Sequence, residues 1–155
     1  MKIKVLAASM ATALSFSAFA GECPAEKRVA DGQGQKMVAH GAKGVTDTVR
    51  AVTELGKESV ALPGRHFRLR ELVVQPGGIV PWHSHDDRPA MIYIVTGEII
   101  EYASNCQVPI VHKAGDVAAE NKGTSHWWQN NAKVPSKLIS VDLFPVADKM
   151  HEKMM

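Results

Sequence analysis

Three histidines stand at spacings that suit metal chemistry. His83-Ser84-His85 follows a Pro76-Gly77-Gly78 segment. Residues two apart on a strand point to the same face, so both imidazoles can reach one point. His126 comes roughly forty residues later, inside Gly123-Thr124-Ser125-His126-Trp127-Trp128-Gln129-Asn130. Neutral imidazole binds divalent transition metals through a ring nitrogen at ~2 Å. Taken alone, a His-x-His pair equally fits two half-solvated histidines at a strand end.

Other residues near these histidines have chemical and plain readings side by side. By strand alternation Trp128 and Asn130 share a face with His126, so Trp128 can wall a pocket while Trp127 points away; ordinary packing accounts for either indole. Arg88 can fork onto a substrate carboxylate, or pair locally with Asp87 on the surface. Tyr93 reads as core, as pocket wall or as a substrate contact. His40, His66 and His112 have no partner at ligand spacing and read as structural or surface residues. Met150, His151, Met154 and Met155 offer soft copper ligands, or simply a solvated terminus.

Short, β-rich segments must position these groups. From Val45 onward, runs such as Phe67 to Val74, Met91 to Val95, Glu98 to Tyr102 and Lys137 to Phe144 alternate with turn residues. Shorter runs lie at 108–111, 117–119 and 125–128. Many short strands with glycine turns predict an all-β sandwich or barrel. Residues 21–44, rich in Gly, Lys and Gln, read as an extended N-terminal arm, 45–146 as one β domain and 147–155 as a short tail.

The first twenty residues read as a signal peptide: Lys2 and Lys4, an apolar run from Val5 to Phe19, then small residues at Ala18-Phe19-Ala20. The mature chain is then exported, periplasmic or secreted, with no membrane segment left. Removing Lys2 and Lys4 takes the 18 basic residues to 16, against 16 acidic ones. The basicity belongs to the leader, and no Lys/Arg cluster interleaved with aromatics points to nucleic acid. Cys23 and Cys106, the two cysteines, read as one disulfide between arm and loop in an oxidising compartment. Free thiols, or Cys106 as a metal ligand, are the alternatives.

The sequence resembles the cupin superfamily in two places. That family's first motif runs Gly, five residues, His-x-His, three or four residues, Glu, six residues, Gly; here Gly77, His83, His85 and Gly97 match, and the Glu position holds Ala90. Its second motif runs Gly, five residues, Pro-x-Gly, two residues, His, three residues, Asn; here Gly115, Gly123, His126 and Asn130 match, with Asn121 in the proline position. The resemblance implies a double-stranded β-helix, or jelly-roll barrel. It also implies one divalent transition metal (Fe, Mn, Cu, Ni or Zn) on His83, His85 and His126, and a homodimer. With alanine at the carboxylate position, three neutral histidines leave the ion its full +2 charge, which favours an anionic, bidentate ligand. Asp86, Asp87 and Glu120 are candidate replacements for the missing carboxylate. Two functions stay open: a metalloenzyme of dioxygenase or other oxidoreductase type acting on a small anionic or chelating molecule, and a non-catalytic barrel binding a small molecule or metal.

Overall fold

The computed structural model describes residues 21–38 and 41–146. The residues read as a signal peptide, His40 and the tail with its Met and His side chains lie outside the described residues. Eight strands follow in chain order: β1 (Lys43–Glu54), β2 (Arg65–Ser84), β3 (Ala90–Thr96), β4 (Glu98–Ala103), β5 (Ile110–Lys113), β6 (Val117–Glu120), β7 (Ser125–Gln129) and β8 (Ser136–Pro145). Single 3-10 turns at Ala25–Lys27 and Leu55–Lys57 are the helical elements among the described residues.

The strands form one antiparallel sheet in the order β5-β4-β7-β2-β8-β3-β6, with β1 paired to β2. The sheet curls into a nearly closed jelly-roll barrel. Strict alternation shows which face is inside: along β8, Ser136, Leu138, Ser140, Asp142 and Phe144 are buried while the residues between them are not. Leu72, Val74, Ile92, Ile94, Ile99 and Leu138 fill one end of the interior. The inward residues at the other end are polar, and there the site lies.

β2 departs from the sequence expectation. Pro76-Gly77-Gly78 reads as a strand-ending turn, yet β2 continues through it for 20 residues. Gly77 takes a left-handed φ of 72°, which a residue without Cβ adopts at no steric cost. Its N–H donates to Asn130 O (2.8 Å), and Asn130 N–H donates to Gly78 O (3.0 Å). The Asn130 side chain also donates to Val74 O and Val134 O, both at 2.8 Å. The motif asparagine therefore stitches the bend of β2 to the end of β7. Gly97 (φ 82°) turns β3 into β4 where an added Cβ would lie 2.8 Å from Pro135 O, so no larger residue fits.

The N-terminal arm is bonded to the barrel. Val29 N–H donates to Asn105 O (3.0 Å) and Gly34 N–H to Ser104 O (2.7 Å). Cys23 and Cys106 form a disulfide with Cα atoms 5.9 Å apart, which excludes both free thiols and a ligand role for Cys106. Cys106, Ala103 and Ile110 make a small second core around it.

Candidate metal centre

His83 on β2 and His126 on β7 are direct cross-strand partners, so their side chains leave the same face with Cβ atoms ~5 Å apart. A bulge makes this possible. Val80 pairs with Trp128 and His83 with His126, so β2 spends one residue more than β7 between the two pairs. In a regular strand Val80 and His83, three residues apart, would point to opposite faces; the bulge at Pro81-Trp82 lets both line the barrel interior. His85, two residues beyond His83, is held at the strand end by its N–H to Thr124 O (2.9 Å).

The ring nitrogens then converge. His83 Nδ1–H donates to Pro81 O (2.9 Å), His85 Nδ1–H to Arg88 O (2.7 Å) and His126 Nδ1–H to Glu101 Oε1 (2.6 Å). With Nδ1 as the donor, each ring turns its Nε2 towards the others. The His126 Nε2 lies 3.1 Å from that of His85 and 3.2 Å from that of His83. The fourth side holds the Glu120 carboxylate, 2.8 Å from His85 Nε2 and 3.3 Å from His126 Nε2. His83, His85, Glu120 and His126 place one ligand atom each within 4.8 Å of one another. Ligands bound to one ion at about 2.0–2.2 Å stand at comparable mutual distances. Three imidazole nitrogens and a carboxylate oxygen in one buried space are a donor set that suits a divalent cation.

Glu120 resolves the question left by Ala90. Ala90 is buried where the motif predicts a ligand, and its cross-strand neighbour on β6 is Glu120. The carboxylate enters from the next strand instead of the usual one. Glu120 joins the three expected histidines in one group, and a divalent ion held by all four would keep a net +1. The other candidates are engaged elsewhere: Asp86 accepts from Gly123 N–H (2.9 Å) and Asp87 pairs with Arg65.

A second layer escaped the sequence reading. Glu101 on β4 bridges His126 and His112, whose Nε2 lies 2.8 Å from Glu101 Oε2. Burial favours a neutral Glu101, but its hydrogen bonds from His112 and His126 hold the carboxyl down at about 2. His112 is fully buried and stacks on Trp128 at 4.6 Å, so it belongs to the site. The signal was its parity with Ile110 on β5, visible only once β5 is known to pair with β4. Burial opposes charge on His83 and His126. It pushes His83 well below the ordinary histidine range, with His126 and His85 adding to the effect. At His126, Glu120 and Glu101 outweigh burial and raise its affinity for a proton.

Trp128 walls the site as alternation predicts, its Nε1 lying 3.3 Å from His126. Trp127 points away and stacks on Tyr102 at 4.0 Å. Arg88 is neither a pocket wall nor Asp87's partner: it is buried and reaches Asp142 Oδ2 at 3.9 Å. Tyr93 is 46% exposed on the outward face of β3, where alternation puts Ile92 inside in its place. A cavity of about 410 Å³ adjoins the cluster and is lined by His83, Glu120, Trp128, Ile92, Arg70 and Asp47 among others.

The cupin domain family matches residues 70–142. The oxalate-binding protein of Thermotoga maritima is 32% identical over 87 residues, which cover 56% of this chain and 69% of that protein. This chain is a cupin. Nectarin-1 of Nicotiana plumbaginifolia is 27% identical over 132 residues, 83% of this chain and 51% of the relative. The chain spans about half the length of such relatives. Among solved structures, a Thermotoga maritima protein described as a predicted oxalate decarboxylase superposes with a TM-score of 0.55 at 18% identity, covering 79% of this chain and 98% of that one. KdgF of a Halomonas species gives 0.53 at 16% identity, covering 76% and 98%. Both share the cupin fold.

Proposed function

We propose that this cupin holds one divalent transition metal on His83, His85, Glu120 and His126 and admits a small chelating carboxylate from the adjoining cavity. The observation that carries the reading is the convergence of three Nε2 atoms on a buried carboxylate, with every Nδ1 committed to its own acceptor. Four protein ligands leave open positions on an ion that prefers six. A bound iron, manganese or copper would supply redox chemistry to a chelated ligand, and zinc would polarise it. The chain's own residues fix the rest: Glu101 orients His126 and keeps it basic, Trp128 and Ile92 exclude water, and the excess positive charge of the ion attracts an anion. The relative that binds oxalate, by its name, makes oxalate a rational probe. The disulfide supports an exported protein.

A binding role without catalysis has one observation in its favour. Glu101 is committed to His112 and His126, and Glu120 to the ligand set, so the cluster leaves no carboxylate free as a general base. The deciding experiment is elemental analysis of purified protein, followed by oxalate under oxygen with product detection. Stoichiometric redox metal with oxalate turnover supports the enzyme; metal with oxalate binding and no product supports the binding module. Protein that retains no metal after loading would sink both.

The outward face of β2, β8, β3 and β6 supports the homodimer implied by the family. Leu69, Val141, Met91 and Ala119 form one cross-strand row, with Ile139, Tyr93 and Val117 in the next. Met91, Tyr93 and Val117 are 64%, 46% and 53% exposed, and an apolar face of this kind is the usual ground for self-association.

A further inference from the structure

Beyond the metal cluster, the cavity carries a second charged group. Arg70 on β2 is buried and lines the same space as His83 and Glu120. One edge of its guanidinium is anchored on β8: Nη2 donates to Ser140 Oγ (3.2 Å) and lies 3.5 Å from Asp142 Oδ2. The other edge, Nη1, donates to Asp47 of β1. Its Nε is buried with no hydrogen-bond partner, so Nη1 is the donor held by a replaceable group.

Three guanidiniums crowd Asp142. Arg68, Arg70 and Arg88 all approach the single buried carboxylate of Asp142, at 2.8, 3.5 and 3.9 Å. Asp47 is the further anion on Arg70, and it comes from a strand whose residues are mostly exposed. Its side chain is 26% exposed, against 6% for that of Arg70. Asp47 is thus the replaceable member of the pair, and Arg70 the fixed one.

Resting on the metal reading above, we propose that Arg70 is the distal anchor of the cavity's ligand, with Asp47 occupying it as an internal stand-in carboxylate. Arg70 on β2 and Glu120 on β6 stand on strands separated by β8 and β3, and both line the one cavity. A ligand serving the ion and Arg70 together has two separated anionic groups, as small dicarboxylates longer than oxalate do. Its proximal carboxylate meets the ion. Its distal one displaces Asp47 and takes its place on Nη1, a charge-assisted hydrogen bond. Oxalate is too short to span and engages the ion alone.

The test is calorimetric binding of acetate, oxalate, succinate and glutarate to zinc-loaded protein. Asp47→Asn, which removes the competing charge, should tighten succinate or glutarate by about five- to tenfold and leave acetate and oxalate unchanged. Arg70→Gln should weaken the same longer ligands by about ten- to a hundredfold, as loss of a charged hydrogen-bonded pair does. The proposal is overturned if Asp47→Asn leaves the longer dicarboxylates unchanged or weaker, if no dicarboxylate binds more tightly than acetate, or if Arg70→Gln weakens all four alike. Because Arg70→Gln opens a buried position, the Asp47→Asn result decides where that variant is misfolded. Repeating the titrations on metal-free protein separates the two readings. Unchanged affinity for all four without zinc refutes the metal end, while a surviving Asp47→Asn effect still supports the Arg70 end.

Discussion

Replacing Glu120 by glutamine keeps the size of the side chain and one acceptor oxygen but removes the charge that the site places against three imidazole nitrogens. Its carboxylate stands 2.8 and 3.3 Å from the two nearest Nε2 atoms, so an ion among them would touch it. At an effective dielectric of ~20, unit charges ~4 Å apart attract by ~4 kcal/mol, and a divalent ion doubles this. Desolvation of a buried carboxylate offsets more than half of the gain. The net loss in Glu120→Gln is then about 3 kcal/mol, or about a hundredfold in Kd for the metal. The assay is competition with a chelator, followed by Trp128 emission, since that indole touches His126. The position of the charge can be tested separately. Ala90 faces Glu120 across β3 and β6, so Ala90→Glu combined with Glu120→Ala returns the carboxylate to the usual strand and should recover at least tenfold of the lost affinity. If Glu120→Gln binds metal as tightly as the native protein, Glu120 is not a ligand and the four-residue centre is wrong.

Four further outcomes follow from other contacts. Glu101→Gln should lower metal affinity about ten- to a hundredfold, as loss of an orienting partner does, again read by chelator competition. The Glu101 carboxyl is held at about 2, against an ordinary 4.5. Its contribution to the stability of metal-free protein, up to ~3 kcal/mol, is therefore present above pH 4.5 and lost as pH falls from there towards 2; denaturant titrations over that window should show a shallower loss in Glu101→Gln. Cys106→Ser removes a crosslink spanning 83 residues, worth ~4–5 kcal/mol of chain entropy, and should lower the melting temperature by on the order of 10 °C. Met91→Glu should shift sedimentation of the protein from dimer to monomer without altering metal content, and a native protein that sediments as a monomer would refute the paired-face reading.

The parts of this fold that were legible in the sequence are those with local causes. Runs of β-branched and other apolar residues between turn residues marked β3, β4 and β8, and their burial alternates because each has one buried and one outer face. The two cysteines and the motif glycines were equally readable, since oxidation state and left-handed φ each depend on little beyond the residue itself. β2 was misjudged at Pro76-Gly77-Gly78 because turn chemistry is only a tendency. What keeps the chain extended there is a pair of hydrogen bonds to Asn130, more than fifty residues away. The parity of His83 relative to Val80 depends on a bulge that shows itself only in the pairing with β7.

The site divides along the same line. His83, His85 and His126 were legible because a metal needs particular donors at particular spacings, and two of the three sit on one strand. Glu120 could be named only as one of three candidate carboxylates, and Glu101 not at all, because each reaches its histidine through a pairing between strands distant in sequence: β6 against β3, and β4 against β7. Ala90 looked like a lost ligand when judged along its own strand. Judged across the sheet, a carboxylate has moved by one inter-strand step, which in a barrel interior is a shift of ~5 Å at the backbone, short enough for a glutamate side chain to recover. A barrel wall offers neighbouring inward positions at nearly the same distance from the centre. A ligand can therefore migrate between strands while the ion keeps its coordination and its charge, and a linear motif is blind to that exchange.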